Sequence, residues 1–127
     1  NHELMVRARQ AKIAQIANSI PELQLINAGE SKEVLLVGWG STEGHLHAAA
    51  NELGCALAHF NYICPLPRNT REVLSQYKRI IVCELNTGQF ATYLRAQFPE
   101  IAFEQYNEIQ GQPFAIERIV NFVMNND

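Results

Sequence analysis

The clearest hydrophobic pattern in this chain is a run of four consecutive apolar residues at 34–37. A run without polar alternation is typical of a strand that is buried on both faces of a sheet. A second run of this kind covers residues 80–83, and apolar segments at 55–60 and 101–106 predict two further strands. We expect these four strands to be parallel, with a short extended segment at 23–26 on one edge of the sheet.

Between these strands, apolar residues recur at helical spacing. The periodicity predicts helices over residues 46–53, 70–77, 90–98 and 114–123, and an amphipathic helix over residues 3–18 before the first strand. Strands and helices that alternate in this way are typical of an α/β fold. We therefore predict a three-layer α/β/α sandwich around a mostly parallel sheet of four to five strands.

The turn after the central strand, Gly38-Trp39-Gly40-Ser41-Thr42, is the first candidate site. Glycine at positions 38 and 40 permits a positive φ or a close backbone approach, and Ser41 or Thr42 is expected to cap the next helix. Open α/β sheets bind ligands where a helix starts at the carboxyl end of a strand. The glycine spacing, however, matches neither the dinucleotide fingerprint nor the phosphate-binding loop.

Two further junctions have the composition of a turn. Residues 84–89, Glu-Leu-Asn-Thr-Gly-Gln, follow the second buried strand, and residues 62–67 contain two prolines that predict a rigid loop. Asn69 or Thr70 is expected to cap the helix that follows this loop.

Composition and charge exclude several classes of function. The chain has 127 residues, 47% of them hydrophobic, which is enough for one domain with a single core. The net charge of −3 is mild and the basic residues are scattered, so we expect neither nucleic acid nor a membrane surface as a partner. Without an apolar run of about 20 residues or a signal-peptide pattern, a cytoplasmic location is expected.

The three cysteines, Cys55, Cys64 and Cys83, are well separated and lie in or beside apolar stretches. This pattern predicts buried thiols and not a disulfide framework or a metal site. An iron–sulfur cluster needs four close thiolates, which these three cannot supply.

The chain opens at Asn1 and enters a helical pattern at once. We therefore expect it to be one domain of a longer subunit, with a leading helix and edge strand in residues 1–32 and an α/β core in residues 33–127.

Four motifs occur in register over nearly the whole chain. They are Gly-Trp-Gly-Ser-Thr-x-Gly at 38–44, Tyr-x-x-Pro-Leu-Pro-x-Asn at 62–69, Glu-Leu-Asn-x-Gly-Gln at 84–89 and Gln-Gly-Gln-Pro-Phe at 110–114. Together they resemble the carboxyl-terminal portion of the α subunit of 2-oxoacid:ferredoxin oxidoreductases, particularly the 2-oxoglutarate type. The chain departs from that pattern at Glu43, where an aromatic residue is frequent, and at Cys64, where Asn is common.

The resemblance implies a fold similar to the carboxyl-terminal domain of transketolases. It also implies an enzyme that uses thiamine diphosphate and Mg²⁺ to decarboxylate a 2-oxoacid, passes electrons through iron–sulfur clusters to ferredoxin, and gives the acyl group to coenzyme A. In this family the diphosphate and the catalytic carboxylate are held by other domains, and the cluster cysteines usually lie in the partner subunit. We therefore expect no cofactor, metal or catalytic residue in this chain.

Individual residues allow more than one interpretation. Glu84 is placed for a general base, but we expect it instead to cap the helix that begins near Gln89 or to bond the neighbouring turn. Trp39 either fills the space under its loop or anchors a contact with the rest of the enzyme. His45 and His47 diverge by about 200° on a helix and do not share a metal, and His59 is expected to be a hydrogen-bonded core or interface residue.

The leading hypothesis is a structural and assembly domain that docks on the remainder of its own α subunit and on a β subunit. The alternative is an effector-binding module that uses the helix N-termini at residues 40–42 and 86–89. The first predicts an exposed apolar patch, and the second a closed polar pocket. The candidate interface or anion-binding residues are Trp39, Gly40, Ser41, Thr42, Pro65, Pro67, Glu84, Asn86, Gln89 and Pro113.

Overall fold

The structure of the chain, a computed structural model, describes residues 8, 12, 15, 16, 18–85, 88–108 and 115–125, with only the backbone of residue 41. The described residues of the predicted first helix, at positions 8, 12, 15, 16 and 18, are helical, as is residue 19. The remainder of that helix lies outside the described residues, as do Asn86 and the motif at 110–114.

The strands and helices alternate along the described chain. The strands are β1 (Leu25–Ile26), β2 (Val34–Trp39), β3 (Ala56–Phe60), β4 (Arg79–Leu85) and β5 (Glu104–Glu108), and the helices are α1 (Glu43–Leu53), α2 (Thr70–Leu74), α3 (Gln89–Gln97) and α4 (Ile116–Asn125). A 3-10 turn at Gly40–Thr42 joins β2 to α1.

The five strands form one sheet in the order β1-β3-β2-β4-β5. β2, β3, β4 and β5 are parallel, and β1 pairs antiparallel with β3 at the edge. The predicted mostly parallel sheet and its short edge strand are therefore confirmed.

Two apolar cores cover the two faces of the sheet, so the described fold has three layers. Leu35, Val37 and Val82 face one side, where Leu74 of α2 and Phe90, Ala91 and Leu94 of α3 cover them. Leu36, Leu57 and Ile81 face the other side and meet Leu46 of α1 and Ile119 of α4. The four apolar residues in a row at 34–37 are thus explained, because successive side chains of a strand point to opposite layers.

Several predicted boundaries were displaced. β5 begins at Glu104 and not at Ile101, because the Ile101 N–H donates to the Phe98 carbonyl at 3.0 Å and closes a turn there. α2 ends at Leu74 and not near Tyr77, because its last turn tightens into bonds between residues three apart, such as Tyr77 N–H to Leu74 O at 3.3 Å. The predicted cap at Gly54 is confirmed, with φ 68° and N–H bonds to the end of α1.

Candidate functional site

Because β2, β3 and β4 are parallel, their carboxyl ends lie side by side at one end of the strands. We call this end of the sheet the carboxyl edge, as distinct from the outer strands β1 and β5. Trp39 is the last residue of β2 and is paired with Phe60, the last residue of β3, while Glu84 lies near the end of β4. This edge brings together Trp39, the turn at Gly40–Thr42 and Glu84. The sequence predicted that each of them follows a strand, but not that they meet.

Glu84 is the polar centre of the carboxyl edge, with 2% of its surface exposed. Its Oε1 accepts the Phe90 N–H at 2.7 Å, and its Oε2 accepts the Ala91 N–H at 2.9 Å. Both donors belong to the first turn of α3, so the carboxylate satisfies N–H groups that the helix leaves free. The interpretation of Glu84 as a helix cap is therefore supported by its geometry.

Trp39 shares this carboxylate. Its indole Nε1 donates to Glu84 Oε1 at 3.3 Å, and its ring lies 5.9 Å from the ring of Phe90 in a tilted arrangement. Phe90 in turn packs edge-on against Phe60 with a centroid distance of 5.2 Å. Trp39 nevertheless keeps 37% of its surface exposed, so it both covers the residues beneath it and presents an aromatic surface outward.

The turn at Gly40–Thr42 departs from the predicted cap. Thr42 makes no side-chain cap; its hydroxyl donates back to the Trp39 carbonyl at 3.1 Å and is buried. The side chain of Ser41 lies outside the described residues. The glycine predictions are confirmed, because Gly40 has φ 72° and a Cβ at Gly38 would overlap the Leu46 side chain.

His59 ties β3 to this turn. Its Nε2 lies 2.9 Å from the Gly40 carbonyl oxygen, which can only accept, so Nε2 is the donor. Its Nδ1 lies 3.8 Å from the Glu43 carboxylate at the start of α1. The prediction of a hydrogen-bonded histidine is confirmed.

The loop after β3 carries Pro65 and Pro67, and the Cys64–Pro65 bond is cis. Asn69 does not cap α2, contrary to the prediction. Instead its side chain accepts the Leu23 N–H at 2.7 Å and donates to the Leu23 carbonyl at 3.1 Å, as a neighbouring strand would. Thr70 likewise donates its hydroxyl back to the Pro67 carbonyl, at 2.6 Å.

Two surface clefts flank this loop. One of about 480 Å³ is lined by residues that include Leu23, Glu43, His59 and Tyr62, and the other, of about 450 Å³, includes Cys64, Arg71 and Tyr93. Pro67 contributes to both. Tyr93 donates its hydroxyl to the Ile63 carbonyl at 2.9 Å, and burial is the main cause that raises its pKa.

The cysteines differ in environment. Cys83 is buried and Cys55 is half-buried, whereas Cys64 is exposed, so the prediction of three buried thiols is wrong for Cys64. Its place in a proline-rich loop, outside any strand, explains the difference. Burial raises the pKa of the Cys55 thiol to about 11 and raises that of Cys83 further.

Other predicted residues contribute less or lie outside the description. Gln89 is the exposed first residue of α3, whereas Asn86 and Pro113 are outside the described residues.

Within residues 18–85, 88–108 and 115–125 and the few described before them, no group of three His, Cys, Asp or Glu side chains could hold a metal. Over the same part of the chain, no helix is long and apolar enough to span a membrane.

The bond between Trp39 and Glu84 was missed by the sequence reasoning. Val37 and Val82 are register partners on β2 and β4, and Trp39 and Glu84 each follow by two residues. Because side chains two apart share a face, the strand order β2-β4 would have been the signal that these two meet.

The fold and the carboxyl edge define an α/β domain with an open, mostly parallel sheet, and comparisons with known proteins place it more closely. Over 128 aligned residues, 97% of this chain, the sequence is 38% identical to 2-oxoglutarate oxidoreductase subunit KorA of Mycobacterium tuberculosis. No family model matches the chain.

A comparison with solved structures also finds a 2-oxoglutarate oxidoreductase. The fold matches 2-oxoglutarate:ferredoxin oxidoreductase from Magnetococcus marinus, solved with 2-oxoglutarate, coenzyme A and succinyl-CoA bound, with a TM-score of 0.85 and 27% identity over 98% of this chain. The chain spans 19% of the length of the curated relative and 23% of the solved chain. The predicted resemblance is confirmed: this chain is related in sequence and fold to a segment of the 2-oxoglutarate oxidoreductases.

Proposed function

We propose that this chain is a structural and assembly domain of a thiamine-diphosphate-dependent 2-oxoacid:ferredoxin oxidoreductase that converts 2-oxoglutarate to its acyl-CoA product. The similarity to 2-oxoglutarate oxidoreductases over nearly the whole chain carries the choice of enzyme. Because the chain spans less than a quarter of either relative, the reaction belongs to a longer protein. The thiamine diphosphate, Mg²⁺ and iron–sulfur clusters would be held outside this domain.

The geometry of Glu84 supports a role without turnover. Its two oxygens already accept two backbone N–H groups and the Trp39 indole, so this carboxylate is not a free general base. The start of α3 does not fit a diphosphate either, because the Phe90 and Ala91 N–H groups already bond Glu84 and a second anion would meet the charge of this carboxylate. This argument also weighs against an effector site there.

An assembly role is supported by the exposed aromatic surface at the carboxyl edge. Trp39 is 37% exposed and Tyr62, just after β3, is 44% exposed. Large exposed aromatic side chains at the end of a rigid sheet are typical anchors of a protein interface. We propose that this edge, with the loop that contains Pro65 and Pro67, contacts the remainder of the α subunit and a β subunit, and that ferredoxin is engaged through the assembled enzyme. Asn86 and Pro113, which lie outside the described residues, are included in this proposal on the sequence alone.

The test uses the full-length subunit that carries this chain, co-expressed with its partner subunit. Trp39→Ala should weaken assembly by about tenfold, since buried aromatic anchors dominate interface energies. Met124→Ala is the matched control: Met124 is 62% exposed and lies near the end of α4, so its loss should leave assembly unchanged.

The readouts are the dissociation constant of the complex and ferredoxin reduction that depends on 2-oxoglutarate and coenzyme A. Trp39→Ala should lower the amount of assembled enzyme but not the rate per assembled enzyme. Normal assembly with a lost response to a phosphate-bearing small molecule would instead favour the effector-binding alternative and reject the assembly role.

A further inference from the structure

The buried carboxylate of Glu84 bonds both the first turn of α3 and the indole of Trp39. It holds the first turn of α3 through Phe90 and Ala91, and it holds the indole of Trp39. Only 2% of Glu84 is exposed, so it cannot itself contact a partner. Any effect of Glu84 on an interface must therefore act through Trp39 or through α3.

The orientation of Trp39 decides what it offers to a partner. Its single polar atom, Nε1, points inward to Glu84 at 3.3 Å. Because Nε1 is bonded to Glu84, the exposed part of this residue offers no side-chain donor that a partner would have to satisfy. Such a surface fits an apolar pocket, because burying it leaves no polar group unpaired.

The ring is also fixed on its inner side. Trp39 lies on Phe90, and Phe90 packs edge-on against Phe60 in the core. A side chain that is held before binding loses less conformational entropy when the interface forms. The hydrogen bond to Glu84 and the aromatic contact together make Trp39 a preformed anchor.

We propose that Glu84 is a positioning residue that presents Trp39 to an apolar pocket in the remainder of the oxidoreductase subunit. The inference rests on the proposed function, and that remainder is the chosen occupant because this chain spans only 19% and 23% of the length of the two relatives. Glu84 sets the orientation of the Trp39 indole ring, and the ring supplies the apolar area that the interface buries.

The variant Trp39→Phe tests the positioning directly. Phenylalanine keeps an aromatic ring over Phe90 but lacks the N–H that reaches Glu84, and it leaves the cap of α3 intact. Docking inside one subunit is measured as the rate at which a protease cleaves the full-length subunit at the boundary between this domain and the remainder. If positioning matters, Trp39→Phe raises this cleavage rate by about fivefold, against about tenfold for Trp39→Ala. An unchanged cleavage rate in Trp39→Phe would overturn the inference.

A double-mutant cycle separates positioning from general stability. Glu84→Gln replaces one accepting oxygen by an amide NH2, which cannot accept, and leaves a neutral and weaker acceptor at the other position. It should therefore lower the melting temperature in both the native and the Trp39→Phe backgrounds. Its effect on the cleavage rate at the domain boundary, about fivefold in the native background, should disappear when Trp39 is already Phe. Arg79→Ala, at the opposite edge of the sheet, controls for loss of stability without contact to Trp39.

The outcomes distinguish the two proposals. An equal rise in the cleavage rate from Glu84→Gln in both backgrounds, or an equal rise from Arg79→Ala, means that Glu84 acts only through the fold, and the inference fails while docking through Trp39 stands. No loss of assembly from Trp39→Ala removes the assembly role of this edge, and the inference falls with it.

Discussion

A carboxylate lies at each end of the parallel strands, Glu84 at the carboxyl edge and Glu104 at the opposite, amino edge. The two carboxylates have different kinds of hydrogen-bond donors. At the carboxyl edge, Glu84 is buried and accepts backbone N–H groups of α3 and the Trp39 indole. At the amino edge, Glu104 at the start of β5 accepts two hydrogen bonds, of 2.8 and 2.9 Å, from Arg79 at the start of β4. Arg79 also donates to the Val123 carbonyl near the end of α4.

The difference between these two carboxylates bears on the docking that we propose for the carboxyl edge. The charges of Arg79 and Glu104 neutralise each other, and the arginine also bonds a carbonyl at the end of α4. Because these groups are paired inside the fold, we call this the closed edge. The charge of Glu84 is balanced by the amino end of a helix, and its third donor carries an aromatic ring to the surface. Arg79 and Glu104 thus stabilise the fold at one edge, whereas at the other edge Glu84 holds the aromatic ring that we propose as a contact surface.

Removal of the Glu84 carboxylate should have the largest effect on stability. Glu84→Ala leaves the Phe90 and Ala91 N–H groups buried without an acceptor and opens a cavity, so we expect a loss of about 3 kcal/mol in the free energy of unfolding. Urea denaturation measures it. Glu117→Ala is the matched control, because Glu117 lies in the first turn of α4 but is exposed, and its loss should cost about 0.5 kcal/mol. Equal effects of the two variants would contradict this interpretation of Glu84.

Removal of Arg79 should cost less, about 1–2 kcal/mol, because its partners are partly exposed and regain water. The side chains of Arg79 and Glu104 are 19% and 36% exposed. Arg68→Ala breaks the more exposed pair with Glu22 and should change the free energy of unfolding by less than about 1 kcal/mol. If Arg68→Ala proved as costly as Arg79→Ala, the closed edge would have no special role.

The closed edge also predicts a pH dependence. The hydrogen bond from Arg79 is the main cause that lowers the pKa of Glu104 in the folded protein. A lowered folded-state pKa contributes stability above the unfolded pKa, about 4.3, and this contribution is lost as the pH falls through the folded pKa. The stability difference between the native chain and Glu104→Gln should therefore shrink between about pH 5 and pH 3. A constant difference across that range would reject the coupling.

The smallest expected change concerns thiol reactivity and leaves stability unaltered. Cys64 is exposed, whereas burial raises the pKa of Cys55 to about 11, so iodoacetamide at about pH 8 should modify Cys64 well before Cys55 and Cys83. If the proline loop docks in the enzyme, alkylation of Cys64 should slow on assembly. Mass spectrometry of the free and assembled subunit measures both rates, and equal rates at Cys64 would exclude its loop from the interface.

Much of the fold could be predicted from local sequence patterns. The buried runs at 34–37 and 80–83, the helix over α1 with its glycine cap, and the strand β3 follow from periodicity and turn chemistry alone. β5 was placed less well because its sequence, Glu-Gln-Tyr-Asn-Glu, is polar, and its pairing with β4 is what makes it a strand.

The caps show the limit of such reasoning. Thr42, Asn69 and Thr70 are residue types that favour N-caps, yet none caps a helix here. Asn69 binds the backbone of Leu23, which is 46 positions away along the chain. A local propensity describes what a side chain can bond, while the tertiary structure decides which acceptor or donor comes within reach.

The sequence by itself determined the fold class, the central strand, the turn at Gly38 and Gly40, and the resemblance to 2-oxoacid:ferredoxin oxidoreductases, because these depend on residue order and spacing. The tertiary structure decided that Trp39 meets Glu84, that Glu84 is a cap instead of a free base, and that Cys64 is exposed. These properties arise where neighbouring strands end side by side, and that adjacency depends on the order of strands in the sheet.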